Sequence, residues 1–176
     1  MKNSICAIIV CGTFLLLSGT AQAETAQAPI KAISAEGEGN DIGMITFSDT
    51  PDGLLINVNM TALPAGSHGM HIHEVGDCGP GIADGKAVAG LAAKGHFDPA
   101  HTGAHLGPQG HGHKGDLPYL TVAPDGTAQT TLTAPHLKVS DIRNRSVIIH
   151  AGGDNYADSP AKLGGGGERI ACGVIQ

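Results

Sequence analysis

Apolar and polar residues along this chain trade places every second position in short runs, each ended by glycine or an Asp-Gly pair. A two-residue period is that of a half-buried strand, not of a helix. The first group of predicted strands covers 30–35, 41–47, 53–60 and 69–74, and the second covers 119–122, 127–133, 146–151 and 169–174. Leu54, Ile56 and Val58 fall on one face by this period, although Leu55 interrupts the alternation. Asp52-Gly53 and Asp125-Gly126 are the dipeptides of tight hairpin turns. Residues 137–142 read as a helical turn or an irregular loop, and no long amphipathic helix or internal repeat is present. The expected class is all-β: an antiparallel sandwich or barrel of about eight strands. Two stretches, 76–116 and 152–168, lack strand character. Loops that long inside a compact domain are usually functional, so these are expected to build a site.

The start of the chain follows a different pattern. Lys2 gives a positive beginning, residues 5–18 are mostly apolar, and Ala21-Gln22-Ala23 supplies small residues before Glu24. That is the layout of a secretory signal peptide cleaved after Ala23, leaving one domain over 24–176. The apolar run falls short of the ~20 residues a spanning helix needs, so no membrane segment is expected after cleavage. Lys2 is the only charged residue in the leader, so the remainder carries 9 basic against 16 acidic residues, a net −7. With no Trp, two Tyr and three Phe there is no basic-aromatic surface for nucleic acid. Cys6 and Cys11 leave with the leader, and the remaining pair, Cys78 and Cys172, reads as a disulfide because an exported chain meets an oxidising compartment.

All 10 histidines lie between Gly66 and Cys172. His71 and His73, at i and i+2 of a predicted strand, point to one face and can reach one ion. His150 ends the apolar run Val147-Ile148-Ile149, and by itself reads as a core histidine as readily as a ligand. The loop series His96, His105, His113 and Asp116 adds three imidazoles and a carboxylate, the four-coordinate number of a closed zinc site. Histidines from two separate strands then make a second site with room for a substrate. Imidazoles with one carboxylate suit zinc and copper, not calcium or magnesium. The run Gly164 to Gly167 lacks the Gly-Lys-Ser/Thr ending of a phosphate loop and reads as backbone able to pass close to the site.

Five segments in order resemble the copper/zinc superoxide dismutases in their bacterial periplasmic form: Gly69-Met70-His71-Ile72-His73-Glu74, Gly95-His96-Phe97-Asp98-Pro99, Gly112-His113-Lys114-Gly115-Asp116, His150-Ala151-Gly152-Gly153-Asp154-Asn155, and the stretch from Gly164 to Val174. The resemblance implies a Greek-key β-barrel and dismutation of the superoxide anion to oxygen and hydrogen peroxide. It implies copper at His71, His73, His96 and His150, and zinc at His96, His105, His113 and Asp116, with His96 shared between them. It further implies that Asp154 hydrogen-bonds ligand histidines of both metals, that Arg169 guides the anion, and that Cys78 pairs with Cys172. Lys114 and Lys162 are either solvated charges or parts of a positive funnel. His68 matches a structural histidine, while His101, His111 and His136 fall outside the ligand set and could take extra metal or haem.

A non-catalytic copper/zinc carrier or buffer of the same fold would also need the histidines, though not Arg169. Covalent haem capture lacks the Cys-x-x-Cys-His motif. Monomer and homodimer are both compatible with the sequence.

Overall fold

The structure is a computed structural model that describes residues 23–176. The leader read at 1–23 lies outside the described residues except for Ala23. Eleven strands carry the fold: β1 (Thr25–Ser34), β2 (Gly37–Thr50), β3 (Gly53–Met60), β4 (Gly66–His68), β5 (Met70–His73), β6 (Gly81–Ala83), β7 (Lys86–Val88), β8 (Leu120–Val122), β9 (Ala128–Ala134), β10 (Ser146–His150) and β11 (Arg169–Val174). The only α-helix among the described residues is a single turn, α1 (Val139–Ile142), at the place read as a helical turn or loop.

Seven strands form one antiparallel sheet in the order β5-β10-β11-β1-β2-β3-β9, and β4 pairs with β8. Only Gly69 separates β4 from β5, and a turn at Asp125-Gly126 joins β8 to β9. The β4–β8 pair therefore bridges the two ends of the large sheet and closes a barrel. Counting β4–β5 as one bent strand, eight strands make the wall, as the alternation predicts. β3 lies beside β9, so the chain crosses the barrel end before β4, a Greek-key connection.

Three differences from the predicted elements have clear physical causes. β1 begins at Thr25, well before residue 30, because its first inward residues are Ala26 and Ala28, too small to register as an apolar run. β2 runs from Gly37 to Thr50, past both predicted ends, through residues that are polar or exposed. The 76–116 stretch is not free of strands: β6 and β7 form a hairpin there. Its strands have three residues each and no inward face, so burial leaves no mark on their sequence. The available signal was Asp84-Gly85, whose φ values of 49° and 73° are those a tight hairpin turn requires.

The core fills the barrel. On β3, Leu54, Ile56, Val58 and Met60 point inward while Asn57 and Asn59 face water. Across the register, Phe47 pairs with Ile56 and Ile45 with Val58. β5 and β10 are buried on both faces. Met70, Ile72, Val147 and Ile149 join the barrel core, and Ile148 packs outside it with Ile33, Ala93 and the cystine. Cys78 and Cys172 are bonded, closing a loop with a sequence separation of 94. The bridge fastens the start of the long loop to β11, the strand that begins with Arg169.

Candidate metal centre

His71 and His73 occupy the outer face of β5, and His150 ends the neighbouring strand β10. Ile148 lies opposite His71, and the His150 amide donates to the Gly69 carbonyl at 2.8 Å, so the barrel wall itself sets the spacing of these three imidazoles. The loop from Gly76 to Asp116 then folds back over that face. Phe97 donates to the Ile72 carbonyl at 2.8 Å, and Ile72 donates to the Gly115 carbonyl at 2.9 Å. This brings His96 opposite His73 and Asp116 opposite His71. Gly115 can make the approach because a Cβ there would lie 2.3 Å from the Ile72 carbonyl oxygen.

Two four-residue groups result. His71, His73, His96 and His150, all buried, place ligand atoms within 4.8 Å of one another. The second group centres on Asp116 Oδ1, which has His105 Nδ1 at 3.0 Å, His96 Nδ1 at 3.1 Å and His113 Nδ1 at 3.5 Å around it. Four atoms bound tetrahedrally at zinc's usual ~2.0–2.1 Å are separated from one another by about 3.3 Å. The observed spacings bracket that value. A ring nitrogen of His71 lies within 4.8 Å of ligand atoms of His96, His105 and Asp116 too. His113 is the better fourth member, because His71 Nδ1 is already needed by the first group, whereas His113 Nδ1 has no other use.

Hydrogen bonding separates ligand atoms from supporting atoms. Six buried ring nitrogens have no partner: His71 Nδ1, His73 Nε2, His96 Nε2, His105 Nδ1, His113 Nδ1 and His150 Nε2. Orphaned buried polar atoms are rare and costly, so six converging on two points are a strong fit to two metal ions. The opposite nitrogens are held. Asp154 accepts from His71 Nε2 at 2.7 Å and from His105 Nε2 at 2.8 Å, so one carboxylate orients a ring of each group. His73 Nδ1 donates to the Lys94 carbonyl at 2.9 Å, and His150 Nδ1 to that of Gly167 at 3.2 Å. Asp116 Oδ2 is engaged by the Leu106 and Gly107 amides at 3.2 Å each, leaving Oδ1 to the centre.

Protonation follows environment. Burial, with help from the neighbouring histidines, pushes His96 down to about 4 and His150 to about 3, and pushes His73 well below its ordinary range. Burial also lowers His71, against the pull of Asp154. Four neutral imidazoles therefore offer lone pairs to the first centre. At His105 burial is outweighed by the adjacent Asp116 and Asp154 carboxylates, which raise it to about 9. Both carboxyls sit well below the usual range: burial opposes ionisation, but the histidine hydrogen bonds prevail.

Arg169 begins β11, half-buried, with its guanidinium donating to the Gly90 and Lys94 carbonyls. Its charge helps to keep His73 and His150 neutral, which places it beside the first centre. Lys114 instead pairs with Asp141 at 2.7 Å, and Lys162 is exposed. His68 is buried between the carbonyls of His150 and Pro64, each at 2.8 Å, a structural post under β10. His101, His111 and His136 are exposed. Sequence reasoning missed Asp158, which accepts from the His105 amide at 2.8 Å and the Leu163 amide at 3.1 Å, tying the two site-forming loops together. An aspartate in a polar loop carries no periodic signal that could have revealed it.

An all-β barrel with two such adjoining groups of ligand atoms, one of them gathered around a carboxylate oxygen, fits a class of binuclear metalloprotein. The sequence profile described as copper/zinc superoxide dismutase matches residues 42–175, and the chain belongs to that family. A superoxide dismutase [Cu-Zn] of Brucella abortus is 46% identical over 97% of this chain and 99% of its own length. The Escherichia coli K12 superoxide dismutase [Cu-Zn] is likewise 46% identical, over the full length of both chains. Among solved structures, the Cu/Zn superoxide dismutase from Brucella abortus superposes with TM-score 0.85 at 49% identity, covering 87% of this chain and all of that one. The monomeric copper, zinc superoxide dismutase from Salmonella enterica gives TM-score 0.78 at 47% identity, again over 87% of this chain and all of that one.

Proposed function

We propose that this protein is an exported enzyme that dismutates superoxide. In this reading copper is held by His71 Nδ1, His73 Nε2, His96 Nε2 and His150 Nε2, and zinc by His96 Nδ1, His105 Nδ1, His113 Nδ1 and Asp116 Oδ1. The observation that carries it is the set of six unpartnered buried nitrogens, together with three histidine Nδ1 atoms 3.0 to 3.5 Å from Asp116 Oδ1.

Bound copper would supply one-electron oxidation and reduction of superoxide, and bound zinc would stay redox-silent. The protein supplies everything else. Arg169, tied to the Gly90 and Lys94 carbonyls, holds a fixed positive charge where the anion arrives. The Lys94 carbonyl accepts from both Arg169 and His73, so the arginine and one copper ligand share a single anchor. His96 faces one centre with each nitrogen, and Nε2, whenever it is not bound to metal, could hold a proton from solvent and pass it to the departing peroxide. Asp154 keeps hydrogens on the Nε2 atoms of His71 and His105, and so keeps their Nδ1 lone pairs free for metal. Steering of the anion is worked through a local field. The net charge of −6 over the whole chain matters little here, since charges beyond ~8–10 Å are screened at physiological salt.

The carrier alternative is disfavoured by burial. His71 and His73 are 0% exposed, with His96 at 5% and His150 at 6%, an arrangement suited to retaining copper and not to handing it on. Both ligand sets come from one chain, so activity does not require a second copy. The leader pattern, the Cys78–Cys172 bridge and the bacterial relatives support export to the periplasm with removal of 1–23. Among the described residues no helix is long and apolar enough to cross a membrane. The direct test is metal analysis of the purified protein combined with a dismutation assay. One copper and one zinc per chain with superoxide-dependent peroxide formation is expected, and a metal-loaded protein without dismutase activity would reject the enzyme reading in favour of the carrier.

A further inference from the structure

Two histidines outside the ligand set, His111 and His136, come together although they are 25 positions apart in sequence. Their ring centroids are 5.6 Å apart with planes inclined by 34°. Within the copper set, His73 and His150 show nearly the same relation, 5.6 Å and 26°. At that separation one ion can lie between the two rings. Both rings are exposed.

The backbone around the pair is held on both sides. His111 follows the turn closed by the Gly110 amide on the Gly107 carbonyl at 3.1 Å and precedes the His113 amide, which donates to Ala104 at 2.9 Å. His136 stands just before α1, which is fixed by the Val139 amide donating to Asp49 at 2.8 Å. The Lys114–Asp141 ion pair at 2.7 Å then locks the two segments to each other and neutralises the nearest lysine charge on the His111 loop. Both rings line a cleft of about 330 Å³ that also reaches His113 and Asp116 of the second centre. Two preorganised imidazoles with open space beside them, on a chain of net charge −6, are a site for a divalent ion of nitrogen preference.

We propose that His111 and His136 form an auxiliary metal site for Zn(II) or Cu(II), at the mouth of the cleft outside the zinc centre. The remaining coordination positions are filled by water. The proposal rests on the copper and zinc assignments only in that those two sites must be filled before the third is counted.

The test uses the enzyme with copper and zinc loaded and excess metal removed. Equilibrium dialysis against free Zn(II) should show one further equivalent bound by the native protein and none by His136→Ala, whose dismutase activity and original two metals are unchanged. His136→Gln, which keeps a polar side chain, should also lose it. His111→Ala should behave alike; because it neighbours His113, His136 is the deciding position. With Cu(II) as the probe, electron paramagnetic resonance should show a second signal with two-nitrogen splitting that His136→Ala removes. An extra equivalent that survives His136→Ala, or native protein that binds no more metal than the variant, overturns the site. Failure of the original two metals to load would instead count against the copper and zinc assignment.

Discussion

Asp154 is the carboxylate through which the two ligand sets communicate. Its Oδ2 accepts from His71 Nε2 at 2.7 Å, and its Oδ1 accepts from His105 Nε2 and from the Tyr156 amide, both at 2.8 Å. Asp154→Asn keeps the shape and replaces one acceptor oxygen with an NH2 donor. If the amide oxygen stays beside Tyr156, the NH2 faces His71 Nε2 and drives that ring's hydrogen onto Nδ1, the nitrogen the copper set uses. In the opposite orientation the NH2 faces His105 Nε2, and the zinc set loses Nδ1 instead. One centre is disabled in either case. A hydrogen bond to a charged group contributes about 1.5–3 kcal/mol, or roughly a tenfold to hundredfold loss of affinity at the affected centre. Competition titrations of zinc and copper against a chromophoric chelator would measure both constants, with circular dichroism as the folding control. If both constants of the folded variant lie within about twofold of native, the tautomer argument is wrong.

His150→Ala removes a ligand from the copper set alone, so dismutation should vanish while one zinc per chain persists by elemental analysis; retained activity would refute the copper assignment. Arg169→Ala should lower the rate and flatten its dependence on ionic strength with copper still bound, and an unchanged rate at low salt would refute the guiding role. Breaking the Cys78–Cys172 bridge by Cys172→Ser opens a loop of sequence separation 94. Loop-closure entropy makes that a loss of about 4–5 kcal/mol, readable as a lower denaturation midpoint, and a midpoint unchanged from native would argue against it. In the metal-free protein the pKa of His105 is raised to about 9, so its ring is protonated at neutral pH. Zinc needs its Nδ1 lone pair and should displace about one proton at pH 7, with affinity rising as pH approaches 9. Calorimetry in buffers of different ionisation enthalpy would detect that proton, and a buffer-independent heat at pH 7 would refute the shift.

The strand pattern was legible wherever one face was strongly apolar, as on β3, where Leu54, Ile56, Val58 and Met60 declare the inward side. It failed on β1, whose inward Ala26 and Ala28 carry little apolar signal, and on the β6–β7 hairpin, which buries neither face. The ligand histidines stood out by type and spacing, because strand period puts i and i+2 on one face. The anchors of those histidines did not. The Lys94 and Gly167 carbonyls and the Asp158 carboxylate have no residue-type signature, since any residue has a carbonyl and many loops contain aspartate.

From its residues alone, this chain determined an all-β fold, a pair of cysteines to be joined, and a stock of imidazoles suited to copper and zinc, because period and side-chain chemistry are local properties. Which nitrogen of each ring faces metal was decided only by the folded protein. So were the single carboxylate serving two centres and the meeting of His111 with His136. Those depend on groups distant in sequence being brought within 3 to 6 Å by barrel closure and the folding back of one loop, and no local pattern encodes such an approach.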